Sequence, residues 1–126
     1  MAFSDALEHH PESRPFWDSL GQGRFVLKHC GDCGKAHWYP RAICPHCGST
    51  ATEWREASGK GTIYSYSISR TTGEPTCIAY VTLAEGPTMM TRIVDSELRA
   101  IRIGDAVGLA IGNAPDGTPL PFFKLI

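Results

Sequence analysis

Two cysteine pairs, Cys30–Cys33 and Cys44–Cys47, constrain this sequence more than any other feature. Each pair has two intervening residues and is followed by a glycine, and ten residues separate the pairs. This spacing lets the chain turn so that both sulfurs point to one place, and the glycine permits the positive φ that the turn needs. Four thiolates make a closed tetrahedral shell for zinc. The sequence therefore predicts a structural Zn²⁺ bound by Cys30, Cys33, Cys44 and Cys47.

Other interpretations of the four cysteines remain open. Two disulfides are disfavoured, because cysteines so close in sequence pair only with strain and a reducing cytosol would keep them as thiols. A rubredoxin-type iron site uses similar turns. His29, His37 and His46 lie nearby and are alternative ligands, but four sulfurs already fill the shell, so we interpret these histidines as surface or loop residues.

Composition narrows the classes of function. The 126-residue chain carries a net charge of −1, whereas dedicated nucleic-acid-binding proteins usually have a basic excess. The N-terminal residues are polar and acidic, unlike a secretory signal, and the chain has no apolar run of the roughly 20 residues that a membrane span needs. A cytoplasmic location is the resulting expectation.

The N-terminal segment, residues 1–23, is predicted to form one or two short helices. Ser4 is a candidate N-cap, Pro15 suits a first helical turn, and Gly21 and Gly23 end the pattern. So short a helix cannot persist alone in water, so we expect its apolar face to dock on the body of the protein or on a partner.

Residues 24–57 read as a zinc ribbon, in which the two cysteine turns are joined by a small antiparallel sheet. Predicted strands cover residues 24–29, 36–39 and 52–55.

Residues 58–126 read entirely as β structure. Strands are predicted at 62–69, 77–83, 88–94, 106–111 and 122–125, and residues 113–121 form a Gly/Pro-rich loop. Tyr64, Tyr66 and Ile68 are assigned to one face of the first strand. The unpaired Cys77 is interpreted as a buried small residue rather than a nucleophile. Five short strands of this kind fit a Greek-key barrel of the OB type, so the fold class is mainly β.

The order of these parts resembles the acyl-CoA-associated DUF35 family, whose members join a rubredoxin-like zinc ribbon to an OB fold. The resemblance covers nearly the whole chain. It rests on a series of motifs in a fixed order: Cys30-x-x-Cys33-Gly34, Trp38-Tyr39-Pro40-Arg41, Cys44-Pro45-x-Cys47-Gly48-Ser49, Trp54, Gly59-Lys60-Gly61-Thr62-Ile63-Tyr64, Leu83-x-Glu85-Gly86, Ile103-Gly104-Asp105-x-Val107 and Pro121-Phe122-Phe123.

The resemblance implies an accessory role. Members of the family look like companions of thiolase-superfamily enzymes in lipid or steroid metabolism, including thiolases, acyltransferases and aldolases. Their catalytic residues lie on the thiolase-like chain, while the small subunit supports assembly and helps to bind the CoA thioester. By this resemblance the chain is a non-catalytic subunit of a hetero-oligomer that contains a thiolase-like protein.

Several residues are candidates for binding rather than catalysis. Arg41 either grips a CoA phosphate or caps backbone carbonyls of the ribbon, and Lys60, between two glycines, belongs to a hinge or to a ligand site. Aromatic residues are enriched at interfaces, and five of them form a candidate partner surface unless the helix covers them. These five are Phe16, Trp17, Trp38, Tyr39 and Trp54.

Two other functions compete with the accessory role. Zinc ribbons and OB barrels also bind RNA and single strands, and Tyr64, Tyr66 and Tyr80 are candidates for base stacking. Against this, residues 61–126 hold five Lys and Arg and six acids. A free redox protein requires iron in place of zinc, and a ferric tetrathiolate site is red whereas the zinc site is colourless.

Overall fold

The computed structural model describes residues 11–71 and 73–126. It contains one short helix, a three-stranded sheet and a closed five-stranded barrel, which confirms the predicted mainly β fold class. The proposed cap at Ser4 lies outside the described residues. The described residues divide into two compact units, one of residues 11–58 with 111–120 and one of residues 59–110 with 121–126. The division at residues 23 and 57 stays a prediction. None of the described helices has the length and apolar character that a bilayer crossing requires.

Helix α1 spans Arg14–Gly21 and follows a 3-10 turn at Pro11–Ser13. Pro15 lies in its first turn, where the missing N–H costs no hydrogen bond. The helix ends as predicted at a glycine, because Gly23 adopts a φ of 80° and donates its N–H to the carbonyl of Leu20 at 3.0 Å. The apolar face of the helix, with Phe16, Trp17 and Leu20, is buried.

The first unit contains a sheet in the order β2-β1-β3. Strand β1 (Val26–Cys30) pairs antiparallel with β2 (Ala36–His37) and with β3 (Thr52–Glu56). The strand predicted at 36–39 is therefore only two residues long and ends at His37. Phe25 and Leu27 are buried and contribute to the core of this unit.

The barrel has the order β4-β5-β6-β8-β7. Its strands are β4 (Lys60–Ser69), β5 (Thr76–Leu83), β6 (Thr88–Ile93), β7 (Ala106–Asn113) and β8 (Pro119–Leu125). Strand β4 pairs antiparallel with β5 and β7, and β5 pairs antiparallel with β6, whereas β6 and β8 are parallel at Ile93 and Phe123. The buried barrel residues include Ile63, Cys77, Ala79, Val81, Leu83, Met89, Ile93, Val107 and Phe123.

The prediction that Tyr64, Tyr66 and Ile68 share one face was wrong. Ile63 pairs with Val81, but Ser65 pairs with Tyr80, so Tyr64 is the extra residue of a β-bulge. Because the bulge breaks the two-residue alternation, Tyr66 and Ile68 lie opposite buried Ala79 and Cys77, whereas Tyr64 is 68% exposed.

The last two strands are longer than the sequence indicated. The predicted loop at 113–121 shrinks to a turn, in which the Ala114 N–H donates to the Thr118 carbonyl at 2.8 Å and Gly117 has a φ of 90°. Prolines at strand ends do not interrupt a ladder, so Pro119 is accommodated as the first residue of β8.

Gly61 is required for close strand packing within the barrel. A Cβ at this position would lie 2.7 Å from both the Thr82 carbonyl oxygen and Val81 Cγ1. We expect Gly61→Ala to lower the free energy of unfolding by about 1–3 kcal/mol, because backbone must move to relieve the overlap. Urea unfolding measures this loss. The exposed neighbour Thr62→Ala should stay within about 0.5 kcal/mol of the parent, and an equal loss in both variants would contradict the packing argument.

Candidate metal centre

The two cysteine turns have the same backbone geometry. In the first, Gly34 has a φ of 75° and donates its N–H to the Cys30 carbonyl at 2.9 Å. In the second, Gly48 has a φ of 78° and donates to the Cys44 carbonyl, also at 2.9 Å. A side chain would strain both positions, so the two glycines fix the shape of the turns that present the sulfurs.

The four sulfurs converge on one point. The Sγ atoms of Cys30, Cys33, Cys44 and Cys47 all lie within 4.8 Å of one another. Cys30 and Cys47 are 3.5 Å apart, and Cys33 and Cys44 are 3.7 Å apart, so these two contacts join one turn to the other. Cys30 and Cys44 are buried and form an inner pair, whereas Cys33 and Cys47 are exposed and form an outer pair. Among the residues that the structure describes, this is the one group of three or more potential ligands.

Backbone N–H groups stabilise negative charge on the two sulfurs of the inner pair. Cys33 donates its N–H to the Cys30 sulfur, and His46 donates its N–H to the Cys44 sulfur, both at 3.4 Å. The Cys33 N–H is the largest influence that lowers the pKa of Cys30 to about 6. A thiolate accepts these bonds better than a thiol does, so the turns favour the form of cysteine that binds a metal.

A second thiolate beside Cys30 is unfavourable in the absence of a cation. The Ser49 N–H acts to lower the pKa of Cys47, but the adjacent Cys30 sulfur and desolvation outweigh it and raise that pKa to about 12. A divalent cation removes this repulsion, because it replaces the protons with two positive charges shared by all four sulfurs. The donor set and its electrostatics fit a tetrathiolate zinc site.

The three nearby histidines do not belong to the group of sulfurs. His46 is exposed, as expected for a loop residue. The surface assignment was wrong for His37, which lies in β2 and is 2% exposed. Its Nε2 accepts the Arg41 N–H at 3.2 Å, which requires an unprotonated Nε2. His29 lies next to Cys30 in β1 and is half-buried.

Arg41 lines a cleft in the first unit. The cleft has a volume of about 660 Å³, and it is lined by the exposed Arg41, the acidic Glu12 and mainly apolar neighbours. The cleft is lined by Glu12, Tyr39, Pro40, Arg41, Ala42, Ile43, Cys44 and Pro45. Lys60 is exposed at the start of β4, and its carbonyl accepts the Ala84 N–H at 2.9 Å. Its role in a hinge or a ligand site stays a prediction.

The predicted aromatic surface divides into buried and accessible residues. Phe16 is fully buried, with its ring 4.9 Å from Trp38 and 5.7 Å from Phe25, and Trp17 is 8% exposed. These two were wrongly assigned to a partner surface, because they lie on the buried apolar face of helix α1. Trp17 Nε1 donates to the hydroxyl of Tyr39, which is 37% exposed.

Trp54 remains accessible on β3, half-buried, with Lys28 Nζ 4.9 Å from its ring centroid. Partner contact stays a prediction for Trp38, Tyr39 and Trp54.

Two polar residues at the cysteine turns were not singled out from the sequence. Asp32 lies inside the first turn and Ser49 directly follows the second, and the Ser49 hydroxyl donates a hydrogen bond to the Asp32 carboxylate. The sequence does place two polar side chains that can form a hydrogen bond, Asp32 and Ser49, at the two turns. Sequence spacing alone does not show that they meet.

The fold and the four-sulfur site define a zinc-ribbon/OB-fold protein. Residues 17–53 match the family model for the ChsH2 rubredoxin-like zinc ribbon domain, and residues 54–111 match that for the ChsH2 C-terminal OB-fold domain. The chain is 30% identical to a solved Ltp2-ChsH2(DUF35) aldolase chain, with a TM-score of 0.80 over 90% of this chain and 94% of that one. It belongs to the DUF35 family of ChsH2-type proteins.

Other relatives agree with this assignment. A probable enoyl-CoA hydratase alpha subunit from Thermomonospora curvata is 33% identical over 86% of this chain, which spans only 36% of that protein. A DUF35 domain-containing scaffold protein from Methanothermobacter thermautotrophicus is 38% identical over 62% of this chain and 64% of its own length. A DUF35-family protein of unknown function from Sulfolobus solfataricus shares the fold at a TM-score of 0.70, with 17% identity and coverage of 98% of this chain and 96% of that one.

The buried His37 should make stability depend on pH. Burial is the largest influence that lowers its pKa below the ordinary value near 6.5. At a pH between the folded-state and unfolded-state pKa values of His37, the unfolded chain binds a proton that the folded chain does not. The contribution of His37 to stability is therefore complete above about pH 6.5, and it declines as the pH falls towards the folded-state pKa.

We expect His37→Gln, which keeps an acceptor for the Arg41 N–H, to flatten this decline. Urea unfolding at pH 7.5 and pH 6.0 measures it, with metal content determined in both samples. An unchanged difference between the two pH values would show that another group causes the decline.

Proposed function

We propose that this chain is a zinc-binding, non-catalytic subunit of a heteromeric enzyme whose catalytic subunit is thiolase-like and acts on an acyl-CoA thioester. The observation that carries the proposal is the close structural match, over nearly the whole chain, to the Ltp2-ChsH2(DUF35) aldolase. Relatives described as scaffold proteins and as an enoyl-CoA hydratase subunit support the same kind of role. A cytoplasmic location is part of the proposal.

The geometry of the metal centre supports a structural role. Zn²⁺ would be held by Cys30, Cys33, Cys44 and Cys47, and four protein ligands complete a tetrahedral shell without a position for water or substrate. Catalytic zinc sites keep such a position open. The metal would therefore stabilise the first unit, and the reaction would take place on the partner.

Metal removal provides a test of this role. We expect the purified chain to be colourless and to contain one zinc per chain, and Cys30→Ser to lose it. Because structural zinc stabilises small modules strongly, residues of the first unit should then lose their dispersed NMR amide signals, while barrel residues such as Val107 and Phe123 keep theirs. A metal-free variant with an intact ribbon spectrum would refute a structural zinc, and a red iron-containing protein would favour the redox alternative.

A tagged chain expressed in its native host tests the partnership. We expect it to retain a thiolase-like protein, identified by mass spectrometry, and the purified pair should cleave or condense acyl-CoA substrates that neither component converts alone. Tyr39→Ala and Trp54→Ala should weaken the complex, since both aromatic side chains are accessible. The exposed Thr62→Ala serves as the control. A chain that remains monomeric with the thiolase-like protein present would contradict the proposal.

The Arg41 cleft is the proposed contact for the CoA portion of the substrate. Its volume lies within the range of small-molecule sites, and Arg41 offers a guanidinium suited to phosphate beside mainly apolar residues, although the Glu12 carboxylate also lines the cleft. We expect Arg41→Ala to weaken CoA binding to the complex about tenfold, as measured by calorimetry. Arg55→Ala is the matched control, because Arg55 is an exposed ribbon arginine that is paired with Glu53. Equal affinity of the Arg41 variant and the parent would exclude the cleft.

A second candidate function rests on the exposed tyrosines of the barrel. Tyr80 is 47% exposed on the second barrel strand, part of the face on which OB folds bind single strands, and Tyr64 is 68% exposed on the adjacent first strand. Fluorescence anisotropy with labelled poly(U) and poly(dT) separates the two functions. Salt-sensitive binding that Tyr64→Ala and Tyr80→Ala abolish would favour nucleic acid, whereas we expect none at physiological salt.

A further inference from the structure

Two links independent of any metal join the cysteine turns. The Gly31 N–H of the first turn donates to the Ala51 carbonyl at 2.7 Å. The Ser49 hydroxyl donates to Asp32 Oδ2, and the same hydroxyl oxygen accepts the Ala51 N–H at 3.0 Å. The side-chain link and the backbone link therefore meet at the segment that follows Gly48.

The bridge between Ser49 and Asp32 is connected directly to the metal ligands. Asp32 immediately precedes Cys33, and Ser49 lies two residues after Cys47, so the bridge ties together the segments that carry the exposed outer pair. The Ser49 carbonyl also accepts the Cys44 N–H at 2.9 Å and so closes the second turn. The inner pair has its own restraints, since each of its sulfurs accepts a backbone N–H.

We propose that the Ser49–Asp32 bridge is a positioning device that holds the two cysteine turns together and sets the rate at which the site releases its metal. The inference rests on the proposed zinc site. Metal leaves such a site by successive loss of ligands, and an exposed sulfur is the one that a competing chelator can displace first. When the sulfur of Cys33 or Cys47 has dissociated from the metal, the bridge keeps the turn that carries it beside the other turn. The sulfur therefore rebinds the metal faster than the metal leaves the site.

The expected size of the effect follows from comparable sites. Loss of a group that hydrogen-bonds a metal ligand commonly costs 10–100-fold in metal affinity, and the bridge acts on the ligands only through the chain. Asp32 is exposed and water competes for its carboxylate, so we expect the lower end of this range. The backbone link through Gly31 remains in the variants and preserves the fold of the turns.

The test measures transfer of zinc from the intact, zinc-loaded chain to the chromogenic chelator 4-(2-pyridylazo)resorcinol. Ser49→Ala and Asp32→Ala should each raise the release rate about tenfold. The double variant should release zinc no faster than Ser49→Ala, because that variant already loses both the bond to Asp32 and the acceptor for the Ala51 N–H. Thr50→Ala, which removes the exposed hydroxyl next in the chain, should release zinc at the parent rate, and Ser49→Thr, which keeps the hydroxyl, should restore it.

Further measurements distinguish positioning from general loss of stability. Cobalt-loaded variants should keep the charge-transfer bands of a tetrahedral tetrathiolate, and zinc-loaded variants should keep the amide spectrum of the parent, so that only the rate changes. If a variant binds less than one zinc per chain, Asp32→Asn takes its place in the comparison. Its amide oxygen still accepts the Ser49 hydroxyl, so its zinc release rate should lie between those of the parent and Asp32→Ala.

The outcomes distinguish failure of the Ser49–Asp32 inference from failure of the proposed zinc-binding function. Parent-like release rates in zinc-loaded Ser49→Ala and Asp32→Ala would overturn the bridge as a determinant of release and leave the zinc site standing. Additive effects in the double variant would overturn the claim that the two residues act through one bond. A parent chain that binds no zinc would instead refute the proposed function.

Discussion

The meeting of four cysteine sulfurs is the constraint on which the first unit depends. Between Cys30 and Thr52, a segment that the structure describes in full, the only regular structure is the two-residue strand β2. Most of this segment therefore has no sheet or helix to fix its path. Its conformation is set instead by paired turns with glycine in the left-handed region and by N–H groups directed at sulfur. A cation would turn this cluster of mutually repelling thiolates into the strongest restraint in the ribbon.

The helix supplies the core that the ribbon lacks. Phe16 lies at the centre of an aromatic cluster with Trp17, Phe25 and Trp38, whose ring centroids are 4.9–5.7 Å from its own. Edge-on aromatic packing of this kind contributes energy beyond simple burial. A short amphipathic helix that would be unstable alone is thereby held in place, and aromatic residues that look like a surface in the sequence become an interior.

Local patterns explain what could be predicted. The cysteine turns, the helix start at Pro15 and its end at Gly23, and the approximate limits of the strands follow from residue types whose conformational preferences are strong. The bulge at Tyr64 does not, because a one-residue insertion in a two-residue period is recognisable only if the partner strand is known. The lengths of β7 and β8 were underestimated because Gly and Pro were read as breakers without knowledge of their pairing. Tertiary contacts between residues distant in sequence could not be predicted from local patterns. They include the burial of Phe16 and His37 and the Ser49–Asp32 hydrogen bond.

The location of the fifth cysteine has a practical consequence. Cys77 is fully buried among the barrel strands, and burial raises its pKa, so it is protected from solvent and held as an unreactive thiol. Every other cysteine belongs to the metal centre. Any sulfhydryl group that Ellman's reagent reaches in the folded chain therefore reports on the metal centre, and no background thiol has to be engineered away first.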